Sequence, residues 1–150
     1  MDVACGTGAM FDGAAGTKTF SYHSSRSVRK MIEIAARKVE GDSLFELQCR
    51  DLFEMTQETF DRIIIYNAYP HFMEKDKVVQ KVAELLNPGG RFIVAHGACR
   101  EKINGCHTNV PKVITSGLLS AKEESRLWET CFSIDILIDT EQFYMFSGVK

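Results

Sequence analysis

The chain has 150 residues, 45% of them apolar and 25% charged, with 18 basic and 20 acidic side chains and a net charge of −2. This suits a single globular domain over residues 1–150, and it gives no electrostatic reason to expect nucleic acid or an anionic membrane as partner. No apolar run approaches the ~20 residues that span a bilayer, and no basic-then-apolar signal leads the chain, so a cytoplasmic location is expected. The five cysteines are odd in number and lack a CxxC pair, which predicts free thiols. His96, Cys99, Cys106 and His107 crowd one stretch, but their spacing fits no common zinc pattern, and no metal is expected.

In chain order, Asp2-Val3 ends in Ala4-Cys5-Gly6-Thr7-Gly8, a strand end followed by a Gly-x-Gly turn. Glycine lets the backbone turn sharply and lie close to a ligand, and backbone N–H groups at a helix start hold a carboxylate. A turn without a ligand is the other reading of so short a pattern. Gly13 to Ser27 is poor in aliphatic residues, and a second strand is expected at Thr17–Ser24. Val28, Met31, Ile32, Ala35 and Val39 have helical spacing, with Ser25 or Ser27 as cap and Gly41 as a left-handed stop.

Leu44–Cys49 and Phe60–Tyr66 read as strands, the latter buried on both faces. A helix carries Val78, Val82, Leu85 and Leu86 on one face, and Asn87-Pro88-Gly89-Gly90 stops it. Arg91–Ala95 is the next strand. The polar stretch His96–Leu119 is too long for a simple connection and suits either a substrate lid, with His96, Arg100, Asn104 and His107 as candidates, or a surface excursion. Ser120 and Glu123 form a capping box ahead of a stripe of Ala121, Leu127, Trp128 and Cys131. Phe132–Ile138 and Phe143–Val149 flank a short polar turn and predict an antiparallel hairpin.

Taken together, these stretches resemble the class I S-adenosylmethionine-dependent methyltransferases. Asp2-Val3-Ala4-Cys5-Gly6-Thr7-Gly8 is similar to the family's first motif, acid-x-Gly-x-Gly-x-Gly. Leu85-Leu86-Asn87-Pro88-Gly89-Gly90-Arg91-Phe92 is similar to its Leu-Leu-x-Pro-Gly-Gly turn into the fifth strand. The resemblance implies an α/β, Rossmann-like doubly wound sheet, a three-layer sandwich, mostly parallel with an antiparallel C-terminal strand and with its first strand truncated.

It also implies S-adenosyl-L-methionine as cofactor, bound through Asp2, Ala4, Cys5, Gly6, Gly8, Asp51, Leu52 and Asn67. Asn67-Ala68-Tyr69-Pro70-His71-Phe72 falls where the family's loop borders the reacting methyl. There Tyr69 is a candidate to shield the sulfonium and His71 a candidate base, or both are packing and rim residues.

Three departures stand out. Ala4 replaces the first motif glycine. Ser24-Ser25-Arg26-Ser27 offers no acid where the family binds the ribose hydroxyls. The chain also begins at the end of the first strand, so an incomplete sheet and exposed apolar surface that favours self-association are expected.

The expected activity is methyl transfer to a small molecule. The alternative is a methyltransferase-fold protein that is catalytically inactive or incomplete. A dinucleotide-binding reading needs Gly-x-Gly-x-x-Gly, and Phe11 occupies the third position.

Overall fold

A computed structural model of the chain describes residues 1–11, 26–43, 45–49, 51–106 and 115–150. These form two compact units, Met1–Glu58 and Thr59–Lys150. The sequence had suggested no such division.

Unit 1 holds a two-residue strand β1 (Asp2–Val3), the glycine turn, and helix α1 (Arg26–Lys38). In one cluster Cys5, Phe11 and Ala35 are buried, with Ile32, Val39, Phe45 and Leu47 packed half-buried against them, and Met1, Val3, Leu52 and Met55 are buried as well. The helical spacing is borne out, although Met31 sits 41% exposed. Gly41 takes φ +83° past the helix end, the left-handed conformation expected of it. Of the expected strand Leu44–Cys49, the described residues form no ladder: 45–48 carries no regular element and Cys49 makes an isolated bridge. A strand exists through its neighbour's hydrogen bonds, and local β propensity does not supply them. The expected second strand, Thr17–Ser24, and the cap Ser25 lie outside the described residues, while Ser27 falls within α1, past the cap position.

Unit 2 is built on β2 (Phe60–Tyr66), β3 (Leu86–His96), β4 (Ser133–Asp139) and β5 (Tyr144–Val149). β2 runs parallel to β3, and β5 lies antiparallel between β3 and β4. The C-terminal hairpin therefore closes a parallel set, as the sequence predicts. Aligned residues Ile63, Phe92, Gly148 and, one pair along, Ile65, Val94, Phe146 put one row of the sheet in the core.

Helix α2 (Lys75–Leu85) buries Val78, Val79, Val82 and Leu85. Leu86 lies beyond the helix and opens β3 instead of extending the helical face. The pairing jumps from Phe60–Leu86 to Arg62–Arg91, so Asn87–Gly90 is an outward loop within the ladder. Gly89 adopts φ +75°, and a Cβ on Gly90 would stand 2.8 Å from the Asn87 carbonyl oxygen. At the far end Lys150 Nζ donates to the Ala83 and Leu86 carbonyls at 2.6 and 2.7 Å, satisfying the open end of α2.

Helix α3 (Arg100–Cys106) buries nothing, whereas α4 (Ala121–Trp128) buries Ala121, Glu124, Ser125 and Trp128. Ser120 caps α4 with the full reciprocal box to Glu123, as expected. The stripe differs from the expected one: Cys131 is exposed and Leu127 half-buried, while Phe132 is buried. Trp128 stacks on Phe92 with centroids 4.0 Å apart, and Phe132, Phe146 and Tyr69 complete an aromatic core.

Candidate functional site

In unit 1 the turn after β1 is wound through left-handed backbone. Ala4, Gly6 and Gly8 have φ of +59°, +58° and +77°, and the Gly8 N–H donates to the Cys5 carbonyl at 2.9 Å. Ala4 keeps a glycine-like conformation at a steric cost of about 1–2 kcal/mol. Over Gly6 a Cβ would meet nothing within 4 Å among the described residues. Over Gly8 the space is closed, because a Cβ would overlap the ring of Phe11, which packs on Phe45 at 5.0 Å.

Asp2 is buried, and its Oδ1 has no hydrogen-bond partner among the described residues. Burial raises its carboxyl from 3.8 to about 7. Asp51 caps the short turn Leu52–Glu54, its Oδ1 accepting from the Phe53 N–H at 2.9 Å, and Leu52 is buried behind it. The sequence had not indicated this capping.

In unit 2 the candidate loop follows the carboxyl end of β2. Asn67 has φ +53° and ties two strand ends together: its N–H donates to Ala95 O at 2.9 Å and its Oδ1 accepts from Gly97 N at 3.0 Å. The carboxyl ends of parallel strands are where open α/β sheets bind ligands. His71 is exposed on the turn Tyr69–His71.

Tyr69 is wholly buried, the packing arrangement that was the alternative to a sulfonium-shielding role. Its hydroxyl donates to Glu124 Oε2 at 3.3 Å and accepts from Trp128 Nε1 at 3.1 Å, and Lys75 Nζ already lies 4.7 Å from its ring centroid. Burial and the Glu124 charge push its hydroxyl upward, away from ionisation.

Of the lid candidates, Asn104 brackets Leu118, donating to its carbonyl at 2.9 Å and accepting from its N–H at 2.8 Å. Arg100 lies against Glu101 and Asp139. His96 is buried at the end of β3, edge-on to Tyr144. His107 lies outside the described residues. No group of three or more metal-ligating side chains comes together among the described residues.

The parallel pair with an antiparallel insertion defines a class, the Rossmann-like methyltransferase fold. Solved structures share it over 99% of this chain. One is the N-methyltransferase NodS of Bradyrhizobium japonicum WM9 in complex with S-adenosyl-L-homocysteine, at 12% identity, 76% of that chain covered and a TM-score of 0.72. Another is an S-adenosylmethionine-dependent methyltransferase of Aquifex aeolicus, at 14% identity, 79% covered and a TM-score of 0.74.

The profile of the family described as "Methyltransferase domain" matches residues 1–94. The chain belongs to that family. Methyltransferase GfsG of Streptomyces halstedii is 26% identical over 115 residues, 73% of this chain; the chain spans 41% of that relative's length.

The family implies S-adenosylmethionine as cofactor. The residues present fit it at two points: a buried carboxylate oxygen on Asp2 that lacks a partner, and open space over Gly6.

Proposed function

We propose that this chain is a methyltransferase domain that passes the methyl of S-adenosylmethionine to a small molecule in the cytoplasm, and that residues 1–150 form one domain. The single observation that supports it best is the buried, unpartnered Asp2 oxygen beside a left-handed glycine turn. A buried carboxylate oxygen without a hydrogen bond is costly, and a ligand ammonium would relieve it. The family match runs through residues 1–94 without a break at 58, which supports a single domain.

On this reading Asp2 accepts from the amino group of the cofactor. The N–H groups of Ala4, Cys5 and Gly6 in the turn face its carboxylate, while Gly8 shapes the turn through its bond to the Cys5 carbonyl. Asp51 and Leu52 border the adenine, and Asn67 holds the loop beneath the reacting centre. When bound, S-adenosylmethionine supplies an electrophilic methyl on a sulfonium. The chain's own task is to orient, to exclude water and to take up a proton, and exposed His71 is the group suited to the last. The balanced charge favours a small acceptor over nucleic acid. No helix among the described residues is long and apolar enough to cross a membrane. Exposed Met31, Ile34, Met73 and Leu137 offer apolar surface for self-association.

A second reading is a methyltransferase fold that no longer binds its cofactor. The ring of Phe11 over Gly8 and the acid-free Ser24-Ser25-Arg26-Ser27 favour it. Titration with S-adenosylhomocysteine separates the two. Saturable binding with a rising melting temperature supports the first, and no shift at millimolar ligand leaves the second.

A further inference from the structure

We propose that Glu124 is a positioning residue, a single buried carboxylate that holds the loop after β2 and the segment 115–119 in one fixed relation. Glu124 lies on α4, 4% exposed. It takes three donors from three different parts of unit 2. The Tyr69 hydroxyl reaches Oε2 at 3.3 Å from the loop after β2. Lys75 Nζ reaches Oε1 at 2.6 Å from the first turn of α2. The Leu119 N–H reaches Oε1 at 3.1 Å from the segment that leads into α4.

Further bonds tie the same parts to one another. Ser116 N donates to the Pro70 carbonyl at 3.0 Å, and Lys75 Nζ also approaches the Gly117 carbonyl at 3.4 Å. Two segments more than forty residues apart are thus fastened through one side chain.

Stability alone does not call for this arrangement. Burying an ion pair costs several kcal/mol in desolvation, and apolar residues of equal volume commonly do as well or better. What a buried charge with three directed donors gives is a unique geometry. The loop so fixed is the one that carries His71 and begins at Asn67. The inference rests on the reading that this loop borders the reacting methyl, and Glu124 acts on that chemistry only through the loop.

The test uses Glu124→Gln and the volume-conserving pair Lys75→Met with Glu124→Leu, which removes both charges and strands neither. Three quantities are measured: amide hydrogen exchange by segment, emission of Trp128, the sole tryptophan and a donor to Tyr69, and affinity for S-adenosylhomocysteine. In both variants exchange at 69–72 and 116–119 should quicken by about tenfold or more while β3 and β5 stay protected. Trp128 emission should shift, and affinity should fall by about fivefold.

Exchange that is unchanged in both segments, or that quickens equally throughout the sheet, overturns the proposal and leaves Glu124 an ordinary core residue. Failure of both variants to fold overturns it in the same way. Should the unaltered chain bind no S-adenosylhomocysteine while the two segments still loosen together in the variants, positioning stands and the methyl-transfer reading is what fails.

Discussion

The two units divide the work unequally. Unit 2 has a four-stranded ladder and an aromatic core in which Trp128, Tyr69, Tyr144, Phe92 and Phe146 are fully buried. Unit 1 has a two-residue strand and, among the described residues, buries Met1, Val3, Cys5, Phe11, Ala35, Leu52 and Met55, with Phe11 the one aromatic ring among them. Yet unit 1 carries left-handed backbone at three positions of one turn and, among the described residues, a buried carboxylate oxygen without a hydrogen bond and open space over Gly6. The aromatic core lies in unit 2, and the left-handed glycine turn lies in the unit with fewer buried rings. Local strain at ligand sites persists only when surrounding structure sustains it.

Trp128→Ala should break this contrast most severely. It removes the ring stacked on Phe92 and a donor to Tyr69, and a loss of about 3–5 kcal/mol is expected in urea unfolding. A loss below about 1 kcal/mol would show that unit 2 is not the stabilising half.

Asp2→Asn probes the other half. The folded-state pKa of Asp2 is raised to about 7 by burial. Its contribution to stability is therefore fully present below about pH 4 and is lost as pH rises through about 7, by up to roughly 4 kcal/mol. Asparagine should flatten that dependence, matching the parent at pH 4 and exceeding it at pH 8 in thermal melts. The same exchange should weaken S-adenosylhomocysteine binding at pH 8, because only an ionised carboxylate pairs with an ammonium. Stability gained together with affinity lost would mark Asp2 as retained for a ligand.

Gly8→Val sharpens the comparison at closer range. The new side chain enters left-handed backbone and meets the Phe11 ring, so a cost of about 1–3 kcal/mol should accompany any lost affinity. Adding Phe11→Ala should restore part of the stability and none of the binding if Gly8 contacts the cofactor. Recovery of both would assign Gly8 to packing alone. The smallest effect is expected at Ser120→Ala, about 1 kcal/mol from the lost cap of α4, with S-adenosylhomocysteine binding unaltered.

What the sequence disclosed follows the range of its signals. Ser120 and Glu123 stand three residues apart, and the terminal hairpin shares one short turn. These elements formed as expected because each is specified within a few residues. Asn87-Pro88-Gly89-Gly90 ended its helix as expected, but the register jump that lets β3 begin at Leu86 depends on β2, more than twenty residues away. Leu44–Cys49 had strand-like composition without a ladder to join. At the site, the glycine turn was legible from spacing. The choice between packing and shielding for Tyr69 was not, since its partners Glu124 and Trp128 lie 55 and 59 residues on, on a helix whose apolar pattern placed Ala121 and Trp128 inward but not Glu124. A buried Glu among Lys122, Glu123 and Arg126 reads as one more solvated charge until the fold turns it inward.

The placement of β5 bears on how the protein is made. β4 joins the sheet only by way of β5, and β3 gains its second neighbour in unit 2 only when residues 144–149 arrive. During synthesis, β3 therefore waits with an open apolar edge while some fifty residues emerge from the ribosome. Such late, non-local pairing folds slowly and leaves edges available for wrong partners. Aggregation during expression should accordingly track how soon Tyr144–Val149 becomes available, and a ribosome stalled before Tyr144 should hold a nascent chain that chaperones still recognise.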